Sequence, residues 1–107
     1  MIKITFNPKT FELSLEGHAD FGNKGEDIVC SAVSILFYTL GQSLIESENM
    51  LTDSPVINDD DGNGFISCKP KPEYEGNIAR TYWTILIGFQ LLEKFYKNHI
   101  ELEVLGN

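Results

Sequence analysis

The sequence predicts an α+β fold: a two-layer sandwich in the order β-β-α-β-β-α-β, with two helices packed on one mixed sheet. Three observations predict it. Short stretches near both ends and in the middle alternate apolar and polar residues, the period of a half-buried strand. Two long stretches place apolar residues at helical spacing. Clusters of Gly, Asp, Asn and Pro punctuate the boundaries between them. At 107 residues, positions 1–107 read as one domain, and a 42% hydrophobic share fits a chain with a packed core.

The elements follow in order. Ile2-Lys3-Ile4-Thr5-Phe6 alternates and ends at Asn7-Pro8. Phe11 to Glu16 alternates again, so the two pair as a hairpin with Ile2, Ile4 and Phe6 on one face and Phe11, Leu13 and Leu15 likewise. The segment Gly17 to Asp27 is longer than the usual connection of about 4–6 residues. A helix is predicted from Glu26 or Asp27 to about Glu48, with Val29, Val33, Leu36, Phe37, Leu40 and Leu44 on its buried stripe. A third strand begins at Ser54-Pro55-Val56-Ile57-Asn58 and a fourth runs from Gly64 to Lys69, around a turn at Asp59 to Asn63. A second helix is predicted from about Gly76 to Asn98, its main face Ile78, Tyr82, Ile85, Leu86, Phe89, Leu92 and Tyr96. Ile100 to Leu105 alternates as the last strand. Both helices carry a second apolar strip: Ile28, Ile35, Tyr38 and Ile45 on the first, Trp83, Ile87 and Leu91 on the second. Either the helices absorb these strips against each other, or the strips form a homodimer interface.

Net charge is −8, which disfavours direct binding of nucleic acid and favours a basic partner. The first residues read as a strand and a turn, so no export signal is expected, and no apolar run in the sequence reads as long enough to cross a bilayer. Two cysteines without an export signal suggest free thiols in a reducing cytoplasm.

The stretch most suited to chemistry runs from Gly17 to Ser31. It holds His18, Cys30 and three glycines, then turns apolar at the start of the first helix. A thiol in the first turn of a helix would feel the positive end of the macrodipole, which favours thiolate. His18 would be its base, and the unpaired amides of Cys30 and Ser31 would be candidate oxyanion donors. Asp27 could orient His18 or cap the helix. Gly22 and Gly25 permit backbone states that other residues resist. On residue types alone the plain alternative stands beside this reading: a cysteine near a helix start is commonly a packing residue, and a histidine after a strand is commonly surface.

Other constellations carry less. Asp59-Asp60-Asp61-Gly62-Asn63-Gly64 begins like a calcium loop, but the closing position is Pro70 and strands flank it, so it reads as a turn. Two histidines and two cysteines without CxxC spacing argue against structural zinc, and no glycine pattern suits a nucleotide; no metal or other cofactor is expected. Cys68, on the face of Ile66, is expected to be buried.

At Gly17-His18-Ala19 and at Asp27-Ile28-Val29-Cys30-Ser31-Ala32-Val33-Ser34 the sequence resembles the ribosomal-processing cysteine protease family, Prp. That family's pattern is a Gly-His-Ala step, a short glycine-containing loop, then Asp-x-Val-Cys-x-x-Val-Ser opening a helix. The resemblance implies a compact α+β domain that forms a homodimer. It implies an endopeptidase that removes the N-terminal extension of large-subunit ribosomal protein L twenty-seven during ribosome assembly. Cys30 would be the nucleophile and His18 its base, with Asp27, Ser31 and Ser34 in support. Gly17, Ala19, Gly22 and Gly25 would belong to a loop that moves to admit substrate. The family's substrate is basic, which agrees with the acidic chain. Two rival readings remain: an acidic dimeric module that binds a basic ribosomal peptide without cutting it, and a redox sensor using Cys30 and Cys68. Faster alkylation of Cys30 than of Cys68 near neutral pH would favour the protease.

Overall fold

The computed structural model describes residues 1–17, 24–60 and 62–106; the side chains of residues 24–27 are not described. The predicted order is the observed one. Strands β1 (Ile2–Asn7) and β2 (Glu12–Glu16) precede helix α1 (Lys24–Glu46). Strands β3 (Val56–Asp60) and β4 (Asn63–Ser67) precede helix α2 (Glu75–Phe95), and β5 (Ile100–Val104) closes the chain. The sheet order is β3-β4-β2-β1-β5, and only the β1–β5 pairing is parallel, so the sheet is mixed.

Alternation decides which face is covered. Ile2, Ile4, Phe6, Leu13, Ile66 and Ile100 point into one buried layer, while Lys3, Glu12, Glu16, Glu101 and Glu103 stay exposed on the other face. The two helices lie side by side over the apolar face. Helix α1 covers the β3–β4–β2 half, where Phe37 sits against Gly64 and Gly41 against Ile57 and Ile66. Helix α2 covers β1, where Tyr82 stacks on Phe6 with ring centroids 5.2 Å apart. Between the helices Leu36 fills the space that Gly88 leaves open; a Cβ on Gly88 would come within 2.8 Å of it. Each large apolar side chain buried in this way contributes about 1.5–3 kcal/mol.

Several boundaries differ from expectation. Helix α1 begins at Lys24 rather than at Glu26 or Asp27, and ends at Glu46. Phe11, expected as the first inward residue of β2, lies in the turn with φ 57°. The Phe11 carbonyl accepts a hydrogen bond of 2.8 Å from the Tyr82 hydroxyl, which ties the turn to α2. Strand β3 runs on through Asp59 and Asp60, so the turn shrinks to the two positions between Asp60 and Asn63. By length and apolarity alone, Ile28–Glu46 could cross a membrane, contrary to the sequence reading. Its Val29, Val33, Phe37, Leu40 and Leu44 are instead buried in the domain core. The second strips are not absorbed by helix–helix packing: Ile35, Ile87 and Leu91 are 63%, 51% and 48% exposed, and Phe95 extends the α2 strip.

Cys68 is buried just past β4, as expected, and the Tyr82 hydroxyl reaches its Sγ at 3.5 Å. Burial pushes the Cys68 thiol up, offset in part by the Tyr82 hydrogen bond, and pushes the Tyr82 phenol up strongly. Both groups are neutral when protonated, so the folded state holds their protons to higher pH than the unfolded chain does. Their stabilisation is complete below about pH 8.5, the ordinary thiol value, and is lost as pH rises toward the folded values. The urea midpoint should fall steadily from about pH 8.5 to 10.5. Tyr82→Phe should flatten the upper part of that decline, and Cys68→Ala the lower part.

Candidate active site

One end of the sheet gathers the start of β1, the end of β2, and the turn between β3 and β4. The first half of α1 passes over this end. Between them lies a cleft of ≈ 220 Å³, with Cys30, Ser34 and Tyr38 on the helix side and Gly17, Asp59 and Asn63 opposite. Cys30, Ser34 and Tyr38 are spaced by four, so one flank of α1 presents all three to the cleft. Cys30 is half-buried at the edge of the core stripe. At the far end the Tyr38 hydroxyl donates a hydrogen bond to the Asp59 carboxylate, linking α1 to β3.

Gly17 forms the rim nearest the chain that leads to α1. Its φ is +89°, a region that L residues with a Cβ resist. A Cβ there would also lie 2.5 Å from the Met1 carbonyl oxygen, a backbone atom that cannot turn aside. Gly17→Ala should therefore cost about 2–5 kcal/mol, the sum of the left-handed penalty and the overpacking term. Urea unfolding of the variant checks this, and Gly76→Ala, where a Cβ meets nothing within 4 Å, is the control.

The earlier helix start changes one expectation. Cys30 lies in the second turn of α1, not the first. In a helix that begins at Lys24, the N–H groups of Cys30 and Ser31 fall beyond the first four and bond carbonyls four residues back. They are engaged in the helix and are not free oxyanion donors. Ser34, by contrast, lines the cleft.

His18, Ala19 and Gly22 lie outside the described residues, as does the side chain of Asp27; Gly25 is within the backbone of α1. Gly17, the residue before His18, lines the same cleft as Cys30. Tyr38, Asp59 and Asn63 were not singled out for the site from sequence. The sequence places Tyr38 in the second apolar strip, and Asp59 and Asn63 in a turn. The signal that could have found Tyr38 is the spacing Cys30, Ser34, Tyr38 on one flank. Neither cysteine is in a disulfide. Cys30 lies at the Gly64 end of β4 and Cys68 beyond its other end, so the redox-sensor pair is not brought together. Among the described residues no group of His, Cys, Asp and Glu is arranged to hold a metal ion.

The fold and this cleft can be set beside known proteins. A sequence model of the cysteine protease Prp family matches residues 1–101. The ribosomal processing cysteine protease Prp of Staphylococcus aureus is 28% identical over 103 residues, 94% of each chain. The solved structure of S. aureus Prp in complex with a covalently linked product peptide superposes with a TM-score of 0.72 at 28% identity, covering 97% of both chains. A second S. aureus Prp structure, in complex with a substrate peptide, gives a TM-score of 0.69 at 26% identity over 97% of both chains. With a family match across nearly its whole length and the Prp fold built around a half-buried cleft cysteine, this chain belongs to the cysteine protease Prp family.

Proposed function

We propose that the chain is a ribosomal-processing endopeptidase that removes the N-terminal extension of large-subunit ribosomal protein L twenty-seven during ribosome assembly, with Cys30 as nucleophile and His18 as general base. The observation that carries this reading is that Cys30 and Gly17, the residue joined to His18, line one cleft. The S. aureus relative is named for ribosomal processing, and its structure with a covalently linked product peptide supports covalent catalysis in the family.

In this reading His18 takes the Cys30 proton, and Sγ attacks the scissile carbonyl carbon. The carbonyl π electrons move to oxygen, and the Ser34 hydroxyl, on the cleft wall four residues from Cys30, donates to that oxyanion. The tetrahedral intermediate collapses, the C–N bond breaks, and His18 protonates the leaving amine. Water then attacks the thioester, with His18 as base, and returns the thiol. Asp27 supports His18. The segment with Gly17, Ala19, Gly22 and Gly25 admits the substrate and completes the site around it, which suits an enzyme that cuts one bond and needs selectivity.

Residues 1–107 act as one cysteine-protease-like domain. The acidic surface draws a basic ribosomal protein from a distance. A second copy of the chain covers the exposed α2 strip of Trp83, Ile87, Leu91 and Phe95, giving a homodimer. The enzyme works in the cytoplasm, where its two thiols stay reduced. Thiol chemistry of this kind needs no metal or other cofactor.

The test is incubation of the protein and its Cys30→Ala variant with a peptide that spans the N-terminal extension, read by mass spectrometry. A single cut by the wild type, absent in the variant, is the expected result. A cut made by Cys30→Ala, or binding by both proteins without a cut, overturns the protease reading. The second outcome would favour the non-catalytic binding module.

A further inference from the structure

The cleft at Cys30 does not stop at Tyr38. Beyond that residue a second groove, ≈ 380 Å³, runs along the outer flank of α1, lined by Ile35, Tyr38, Gln42, Ile45 and Ile57. Tyr38 belongs to both, so the two form one trough from Cys30 to Ile45. Along the helix axis that is about 22 Å at about 1.5 Å per residue. An extended chain covers the same length in about six or seven residues.

The other bank of the trough is β3, an edge strand of the sheet. Asp60 pairs with Asn63 across the turn, and such a closing pair exchanges both backbone bonds. The alternation along the strand then directs the backbone groups of Val56 and Asn58 toward β4 and turns the N–H and C=O of Ile57 and Asp59 outward. Their side chains turn under α1 instead: Ile57 packs beside Gly41, and Asp59 accepts the Tyr38 hydrogen bond. The opposite edge of the sheet is treated differently. There the Leu102 N–H of β5 donates to Glu93 Oε2 at 2.8 Å, so a side chain already takes that outward donor. On the β5 edge a side chain thus meets one outward group, while among the described residues no hydrogen bond reaches the outward groups of Ile57 and Asp59.

We propose that one arm of the substrate, extended from the scissile bond, adds to β3 as a sixth strand. Its alternate backbone groups bond Ile57 and Asp59, its apolar side chains enter the groove of Ile35, Ile45 and Ile57, and a basic side chain meets Asp59 or Asp60. This rests on the protease reading and names how that same site recognises its substrate. Three observations select a peptide arm as occupant. The groove is continuous with the Cys30 cleft through Tyr38. The β3 edge turns the backbone groups of Ile57 and Asp59 outward in register with it, unpaired among the described residues, which an extended peptide satisfies. Strand β3 carries Asp59 and Asp60 and no Lys or Arg, which complements a basic chain.

The test uses the substrate-spanning peptide and a series in which one backbone amide at a time is N-methylated. Cleavage of the unmodified peptide by the wild type is read first, then binding of each peptide to the Cys30→Ala protein. On one arm, N-methylation at every second position should weaken binding roughly tenfold, the value of one net hydrogen bond, with the intervening positions unaffected. Ile45→Gln, an exposed position outside the reacting centre, should raise KM and leave kcat unchanged. A flat N-methylation profile on both arms, with the unmodified peptide still cleaved, overturns strand addition and leaves the protease reading standing. An unmodified peptide that is never cut overturns the protease reading, and strand addition falls with it.

Discussion

Phe37→Ala is expected to remove about 3–5 kcal/mol of folding stability, the usual cost of emptying a buried phenylalanine site. Phe37 is 2% exposed. Its ring occupies the space that Gly64 leaves by lacking a side chain; a Cβ on Gly64 would sit 2.8 Å from the ring. The surrounding elements cannot collapse into the vacated volume without breaking other contacts. Helix α1 is tied to β3 by the Tyr38–Asp59 hydrogen bond and by the packing of Gly41 on Ile57. Against a total stability of roughly 5–15 kcal/mol, such a loss should lower the thermal midpoint by at least about 12 °C. Ile35→Ala, at 63% exposure on the same helix, should change stability by no more than about 0.5 kcal/mol. Paired urea titrations of the two variants check the contrast, and similar losses in both would contradict the core assignment.

The other large effect is kinetic. Cys30→Ala and His18→Ala are each expected to lower kcat by at least about 10³-fold, and the double variant by no more than the worse single. The non-additivity is the informative part. A nucleophile without its base and a base without its nucleophile are equally idle, so the second loss removes nothing that still works. Two independent contributions would instead multiply. Single-turnover cleavage of the extension peptide, read by product mass, measures all four proteins. The melting temperature of Cys30→Ala should stay close to that of wild type, because the half-buried thiol lies at the edge of the core and its removal leaves only a small void.

Much of the fold was legible because period and face are local properties. The alternation of Ile2, Ile4 and Phe6, and the stripe of Val29, Val33, Phe37, Leu40 and Leu44, each assign an element and its buried side without reference to the rest of the chain. Strand order was not legible: nothing in Ile100 to Val104 says that it will lie parallel to β1. The Phe11 backbone was misread for a similar reason. A bulky residue at positive φ is unfavourable locally and is held there by a distant partner, the Tyr82 hydroxyl. For the site, motif residues could be picked out, but the Tyr38–Asp59 link joins positions far apart in the chain and appears only when α1 lies over β3. The helix start at Lys24 escaped notice because Glu26 and Asp27 are also good first-turn residues, which leaves the first residue ambiguous by a few positions.

The pairing of β1 with β5 also constrains when the molecule can be completed. Ile2 to Phe6 align with Ile100 to Val104, and the Ile2 N–H bonds the His99 carbonyl. During synthesis β1 is therefore made without its neighbour on one side and must wait until Ile100 to Val104 have been added. Closing so long a loop late makes folding slow relative to local helix formation, and it leaves the β1 edge open for association with other nascent chains. Loss of β5 would do lasting harm of the same kind, exposing an interior strand as a new edge. Nicking or tagging the chain near Val104 is thus a sharper risk than altering the polar outer face, although Val104 lies far along the sequence from Cys30.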